Sequence, residues 1–230
     1  MVAIAESLGR IRDIVDRYAG GRHVDIMLAA KYQPIERLIE AYDAGGVLMG
    51  HNLVDQLVSA NAGLAEHGIH PYTSMIGHVQ SNKLSSAMAV ADRIDTVDSL
   101  KTAQRINRRQ EERVARGEAA GPYPVLIQIN SAAADTQFGV AIGDVMQLAV
   151  AIADLPWVQI RGVMTIGARG SETNIRASFA TTRRLSEEMR TLPALADADV
   201  ISMGMSNDMH LAISEGATVV RVGTAVFGER

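Results

Sequence analysis

Val24 to Gly50 reads VDIMLAAKYQPIERLIEAYDAGGVLMG. VDIMLAA is an apolar run of strand length, and PIERLIEAYDAG repeats its apolar residues at helical spacing. GVLMG is then a second short apolar run. Strand, helix and strand within this length make a parallel βαβ unit. The first run also ends in a single ammonium, Lys31, on a segment that otherwise favours burial. Such a lysine either snorkels to the surface or is held inside for chemistry. The residues after the first strand, KYQP, contain no glycine, whereas an open doubly wound sheet normally carries a glycine-rich nucleotide loop there.

The same alternation continues along the chain. Further strand candidates are YTSMI, RIDTV, PVLIQIN, IRGVMTI, DVISM and TVVRV, which with the first two make eight. Amphipathic segments such as NLVDQLVSANAGLAEHG, DSLKTAQRINRRQEERVARG and GDVMQLAVAIADLP separate them. An extra helix from about Ala3 to Tyr18 precedes the first strand. Eight units predict a closed (β/α)8 TIM barrel of the α/β class, with the first and eighth strands as neighbours. No linker or low-complexity segment interrupts the pattern, so one domain over residues 1–230 is expected.

Composition narrows the function classes. The chain has 230 residues, 47% hydrophobic and 21% charged, with a formal net charge of −4. That length supports one barrel core or two small domains. The pairs Arg108-Arg109 and Arg183-Arg184 stand in helical segments with acids nearby, and no basic stripe forms, so nucleic acid is not an expected partner. There is no cysteine, which excludes disulfides, thiolate catalysis and cysteine-ligated metals. No apolar stretch approaches the roughly 20 residues that span a bilayer. The first twenty residues lack a signal-peptide core. A cytoplasmic protein without a membrane partner is expected.

In such barrels the chemistry gathers at the carboxyl ends of the strands. Those ends supply Lys31, Gly50-His51-Asn52, Gly77-His78, Asp98, Asn130, Thr165 with Gly167, Ser202 to Ser206, and Arg221 to Thr224. Alternation puts Lys31 on the face of Met27 and Ala29, and Arg221 on the face of Gly223. It sends Tyr32 to the opposite face. Closure would set Lys31 and Arg221 side by side. The terminal RVGTAVFG offers free amides and a hydroxyl to a phosphate through Gly223 and Thr224. Ser206 either adds a hydroxyl to that phosphate or caps the helix NDMHLAISEG. Burial and a neighbouring guanidinium would disfavour the ammonium of Lys31 and leave a nucleophilic amine. A Schiff-base lysine opposite a phosphate site suits pyridoxal 5′-phosphate or a sugar phosphate. His23, His67, His70 and His210 read as surface residues, and no histidine pair has zinc spacing.

The segments MIGHVQSNK, IDTVDSL, VLIQIN, RGVMTIG, ISMGMSND and TVVRVGTAVFG, in this order over nearly the whole chain, resemble the pyridoxal phosphate homeostasis proteins. The resemblance implies a barrel similar to the N-terminal domain of alanine racemase, with pyridoxal 5′-phosphate on Lys31. It also implies that Arg221 hydrogen-bonds the pyridine nitrogen and that Ser206, Gly223 and Thr224 hold the phosphate. Asn52 would lie beside the cofactor, Met205 would pack near it, and His78 would approach the ring. The chain departs from the family where it reads AKYQP rather than SKTKP, so that Gln33 replaces a second lysine. His51 stands for the glutamate of GEN, and Gln137 for a lysine after the fifth strand. These departures bear on a secondary lysine site and leave the Schiff-base lysine and the phosphate cup in place.

Arginine is a donor that stays protonated, so Arg221 would keep the pyridine nitrogen unprotonated and the ring a weak electron sink. Aminotransferase and decarboxylase chemistry is then disfavoured. Racemisation stays compatible but needs a second base, which a tyrosine from another domain supplies in alanine racemase. The sequence ends soon after its eighth strand, so no such domain is expected. The chain is therefore expected to hold, buffer or deliver pyridoxal 5′-phosphate, as a monomer or weak dimer, with PLP-dependent apo-enzymes as recipients and without robust catalysis. A racemase of low activity and a Schiff-base aldolase are the alternatives.

Overall fold

The computed structural model describes residues 3–134 and 137–228. Helix α1 (Ile4–Ala19) leads into strand β1 (Asp25–Ala29), then α2 (Ile35–Asp43), β2 (Leu48–His51), α3 (Val54–Ala65), β3 (Tyr72–Met75) and α4 (Leu84–Val90). The chain continues through β4 (Arg93–Val97), α5 (Leu100–Ala115), β5 (Tyr123–Gln128), α6 (Val145–Ala153), β6 (Val158–Met164) and α7 (Glu172–Met189). It ends with β7 (Val200–Met205), α8 (Met209–Ser214), β8 (Val219–Val222) and α9 (Thr224–Phe227). The strands form a closed barrel in sequence order, β1 through β8, as the repeated unit predicts. Among the described residues no helix is long and apolar enough to cross a membrane.

Two compact units divide the chain, one of residues 1–91 and 203–230, the other of residues 92–202. In the first, α1 buries Ile4, Leu8, Ile11 and Val15, one stripe at spacings of three and four. It ends on Gly20 in the left-handed region, the conformation that a residue without Cβ adopts at least cost. Arg22 then donates to the carbonyls of Ile213 and Ala217 at 2.6 and 3.3 Å, which satisfies acceptors at the end of α8. β8 pairs with β1, Met27 opposite Arg221 and Leu28 opposite Val222. β1 pairs with β2, Ala29 opposite Gly50, and β2 with β3, Gly50 opposite Ser74.

In the second unit every residue of β4 is buried, including Arg93 and Asp95. The two share a face at i, i+2 and form a bidentate ion pair, Nε to Oδ1 at 2.6 Å and Nη2 to Oδ2 at 3.0 Å. Helices α5 and α7 begin at serine caps, Ser99 accepting from the Thr102 amide and Ser171 from the Asn174 amide. β6 closes on β7 through Gly162, where an added Cβ would overlap the Val200 carbonyl.

Candidate functional site

All eight residues singled out for the cofactor fall in the unit of residues 1–91 and 203–230. Register fixes their levels. Arg221, Met27 and Leu48 lie on one inward-facing level, with Arg221 buried to 6% exposure. One step toward the strand ends come Ala29, Gly50 and Ser74. Gly223 joins them, since a Cβ there would sit 3.4 Å from the Ala29 Cβ. This level therefore carries only glycine, alanine and serine side chains. A (β/α)8 barrel normally fills its interior with bulky layers; here Met27 Sδ and Ile76 Cδ1 close over Gly50, 2.7 and 2.9 Å from where its Cβ would lie, while Ala29 and Gly223 stay half-buried.

Lys31 departs from its expected position in two ways. β1 ends at Ala29, and Lys31 stands beyond it in a turn, exposed rather than buried. Strand parity stops where the strand stops. Arg221 lies opposite Met27, so four residues of strand rise, roughly 13 Å, separate it from the level of Lys31. The two are on neighbouring strands but not side by side. Tyr32 is a third correction. Its φ of 55° is left-handed and breaks the alternation, and the Lys31 Nζ lies 5.7 Å from its ring centroid. The Tyr32 amide donates to Gln56 Oε1 at 3.4 Å, which helps hold a conformation that costs a non-glycine residue about 1–3 kcal/mol.

At the other end of the site Ser206 is not the cap of α8. That helix starts after Asp208, whose side chain does not cap it; its Oδ1 instead accepts from the Met205 amide at 2.6 Å. Ser206 Oγ accepts from the Ala225 amide at 3.3 Å, which ties the loop after β7 to the turn after β8. The Gly223 carbonyl accepts from the amides of Val226 and Phe227. The amides of Gly223 and Thr224 precede that first closed turn and lie outside its ladder. Met205 is exposed, His78 is exposed in the loop after β3, and Asn52 is half-buried just after β2. A Cβ at Gly77 would overlap the Asn52 carbonyl, so the loops after β2 and β3 touch only because residue 77 is glycine.

Two buried polar residues in this unit have no partner for their side-chain atoms among the described residues: His51, on both ring nitrogens, and Ser74, on its hydroxyl. The sequence left His51 open. It is 1% exposed, and burial pushes its pKa down to about 4. Alternation turns it away from the face of Gly50 and Ser74. Ser74 was missed, because a strand serine in YTSMI shows its importance only when register places it inside. Asn130, Thr165 and Gly167, also gathered from strand ends, and Gln137, read as standing for a family lysine, instead tie together the loops after β5 and β6. Thr165 Oγ1 donates to the Ile129 carbonyl at 2.9 Å and accepts from the Gly167 amide at 3.1 Å. Asn130 donates to the carbonyls of Ala134 and Gln137, and the Gln137 amide donates to the Gly167 carbonyl.

Fold and site together define a (β/α)8 barrel with a Gly223-Thr224 turn after β8 and a lysine after β1. The family model for the alanine racemase N-terminal domain matches residues 25–230. A pyridoxal phosphate homeostasis protein of Vibrio alginolyticus is 36% identical over 212 residues, covering 90% of this chain and 87% of that protein. One of Escherichia coli K12 is 33% identical over 234 residues, covering 99% and 97%. PipY of Synechococcus elongatus PCC7942, solved with pyridoxal phosphate bound, superposes with a TM-score of 0.83 at 31% identity, covering 98% of this chain and all of that one. The chain belongs to the pyridoxal phosphate homeostasis protein family, within the alanine racemase N-terminal-domain fold.

Proposed function

We propose that this chain binds pyridoxal 5′-phosphate and serves its homeostasis, holding the cofactor through a Schiff base to Lys31 and buffering or delivering it. The observation that carries this reading is the level of small side chains Gly223–Ala29–Gly50–Ser74, with Arg221 one level beneath it and Ser206 and Thr224 in the turns beyond. The residues present fit the group. Gly223 has no side chain to fill the space over its loop, and Ser206 is drawn to that loop by the Ala225 amide.

Each residue has a separate task. The amides of Gly223 and Thr224 and the hydroxyls of Ser206 and Thr224 supply neutral donors to a phosphate. Arg221, a guanidinium donor, would hold the pyridine nitrogen and leave it unprotonated. When bound, the cofactor would supply an aldehyde to a primary amine and, with its nitrogen unprotonated, only a weak electron sink. Asn52, positioned by the close approach at Gly77, would lie beside the cofactor.

Lys31, exposed in its turn, reaches solvent, which suits an amine that takes up and gives back an aldehyde. The experiment is an absorption spectrum of protein incubated with pyridoxal 5′-phosphate and freed of excess. A band near ~420 nm is expected, and Lys31→Ala abolishes it. An unchanged band in that variant overturns the assignment of the lysine. The second reading, a racemase of low activity, is favoured by the Tyr32 ring beside Lys31 Nζ, which puts a phenol where strand alternation denied one. Steady conversion of L-alanine to D-alanine, lost in Tyr32→Phe, would support it.

A further inference from the structure

Ser74 is wholly buried, its hydroxyl has no partner among the described residues, and register turns it to the barrel interior beside Gly50. A Cβ at Gly50 would come within 2.7 Å of Met27 Sδ and 2.9 Å of Ile76 Cδ1, which marks this face as the one shared by Met27 and Arg221. A buried hydroxyl without a partner carries its desolvation cost uncompensated. Buried polar groups without protein partners call for a water or a ligand.

We infer that the Ser74 hydroxyl is the partner of the cofactor's 3-oxygen. This rests on the function proposed above and adds one residue to it. In pyridoxal 5′-phosphate the 4-aldehyde is flanked by the 3-hydroxyl on one side and the 5-methylene phosphate on the other. The aldehyde belongs to Lys31, after β1. The phosphate donors Ser206, Gly223 and Thr224 follow β7 and β8, on one side of β1. The 3-oxygen then faces the opposite side, toward β2 and β3. On that side the inward residues next to Ala29 are Gly50, which has no polar side chain, and Ser74. A serine hydroxyl both donates and accepts, so it serves the 3-oxygen in its phenol or phenolate form. The bond lets Ser74 act as a positioning residue, fixing the ring's rotation about the line from Lys31 to Arg221.

The test compares wild type and Ser74→Ala with two probes, pyridoxal 5′-phosphate and its 3-deoxy analogue, by equilibrium dialysis and absorption. Loss of a ligand hydrogen bond predicts about tenfold weaker binding of pyridoxal 5′-phosphate by the variant. The absorption maximum of the bound cofactor shifts, while the 3-deoxy analogue binds both proteins alike. The thermal midpoint does not fall, since no protein hydrogen bond is removed. Binding of pyridoxal 5′-phosphate by Ser74→Ala within twofold of wild type overturns the inference. So does an equal loss for both probes, which marks a structural role. Ser74→Gly, with the same pattern expected, decides the matter should the alanine variant not fold. Wild type that binds neither probe refutes the proposed function itself, an outcome distinct from these.

Discussion

In the unit of residues 92–202 the buried polar groups around the strand ends are bound to one another. Asp95 takes two bonds from Arg93, Thr165 serves Ile129 and Gly167, and Gln137 closes onto Gly167. In the unit of residues 1–91 and 203–230, His51 and Ser74 are buried with no partner for their polar side-chain atoms among the described residues. Lys31 stands exposed beyond its strand, and the turn at Gly223 leaves amides outside its ladder. Both units grow from the same strand and helix repeat. A polar group that is already satisfied contributes stability, whereas one left unsatisfied is available to something else. The contrast is one of the strand ends, since away from them Ser186 in the unit of residues 92–202 also buries a hydroxyl without a partner among the described residues.

The largest effect expected comes from breaking a satisfied pair. Asp95→Ala leaves the Arg93 guanidinium buried without its carboxylate, and the free energy of unfolding falls by about 3–5 kcal/mol in a urea titration. A loss under about 1 kcal/mol would mean the pair is not an essential part of the satisfied core. Next comes the unsatisfied imidazole. His51 has a folded-state pKa near 4 against 6.5 for the free side chain, so from pH 6.5 down to 4 the unfolded chain binds a proton that the folded chain does not. Its contribution is therefore complete above pH 6.5 and is lost as the pH falls toward 4. At pH 5 this amounts to about 2 kcal/mol relative to pH 7. His51→Leu removes that dependence and is no less stable than wild type at pH 7. Urea midpoints at the two pH values decide it, and an equal drop in both proteins would show the ring to be hydrated. The smallest effect is at the rim. Ser206→Ala weakens binding of pyridoxal 5′-phosphate by about tenfold or less and, because the bond from the Ala225 amide is lost, lowers the thermal midpoint slightly. A lowered midpoint with unchanged binding would make Ser206 only a strut between the loops after β7 and β8.

Much of this contrast was invisible in the linear pattern. Hydrophobic periodicity located β4 as RIDTV to the residue and β8 as TVVRV to within one, because each strand must bury its apolar residues wherever the chain leads it. The VRVGT turn could be read for the same reason, since free amides after a strand follow from local geometry. Ser206 could not be decided locally. Capping α8 and reaching the Ala225 amide are both open to a serine at that point, and only the approach of the turn after β8 selects the second. Lys31 and Tyr32 misled the reading because alternation holds only inside a strand, and β1 ends at Ala29. Nothing in RIDTV marks Arg93 and Asp95 as partners; burial of every residue of β4 forces the two charges together.

By itself the sequence determined the eight-fold alternation, the closure it demands, the family, and where each strand lies to within a few residues. These are local or additive properties, set by spacing and by side-chain chemistry. Tertiary structure alone decided the levels: Arg221 opposite Met27, Gly223 against Ala29, and Gly50 opposite Ser74. Register between strands distant in the chain depends on how whole side chains interlock, and a one-residue slip would turn every inward residue outward. For that reason the level of small side chains and its unpartnered serine appear only once the barrel is closed.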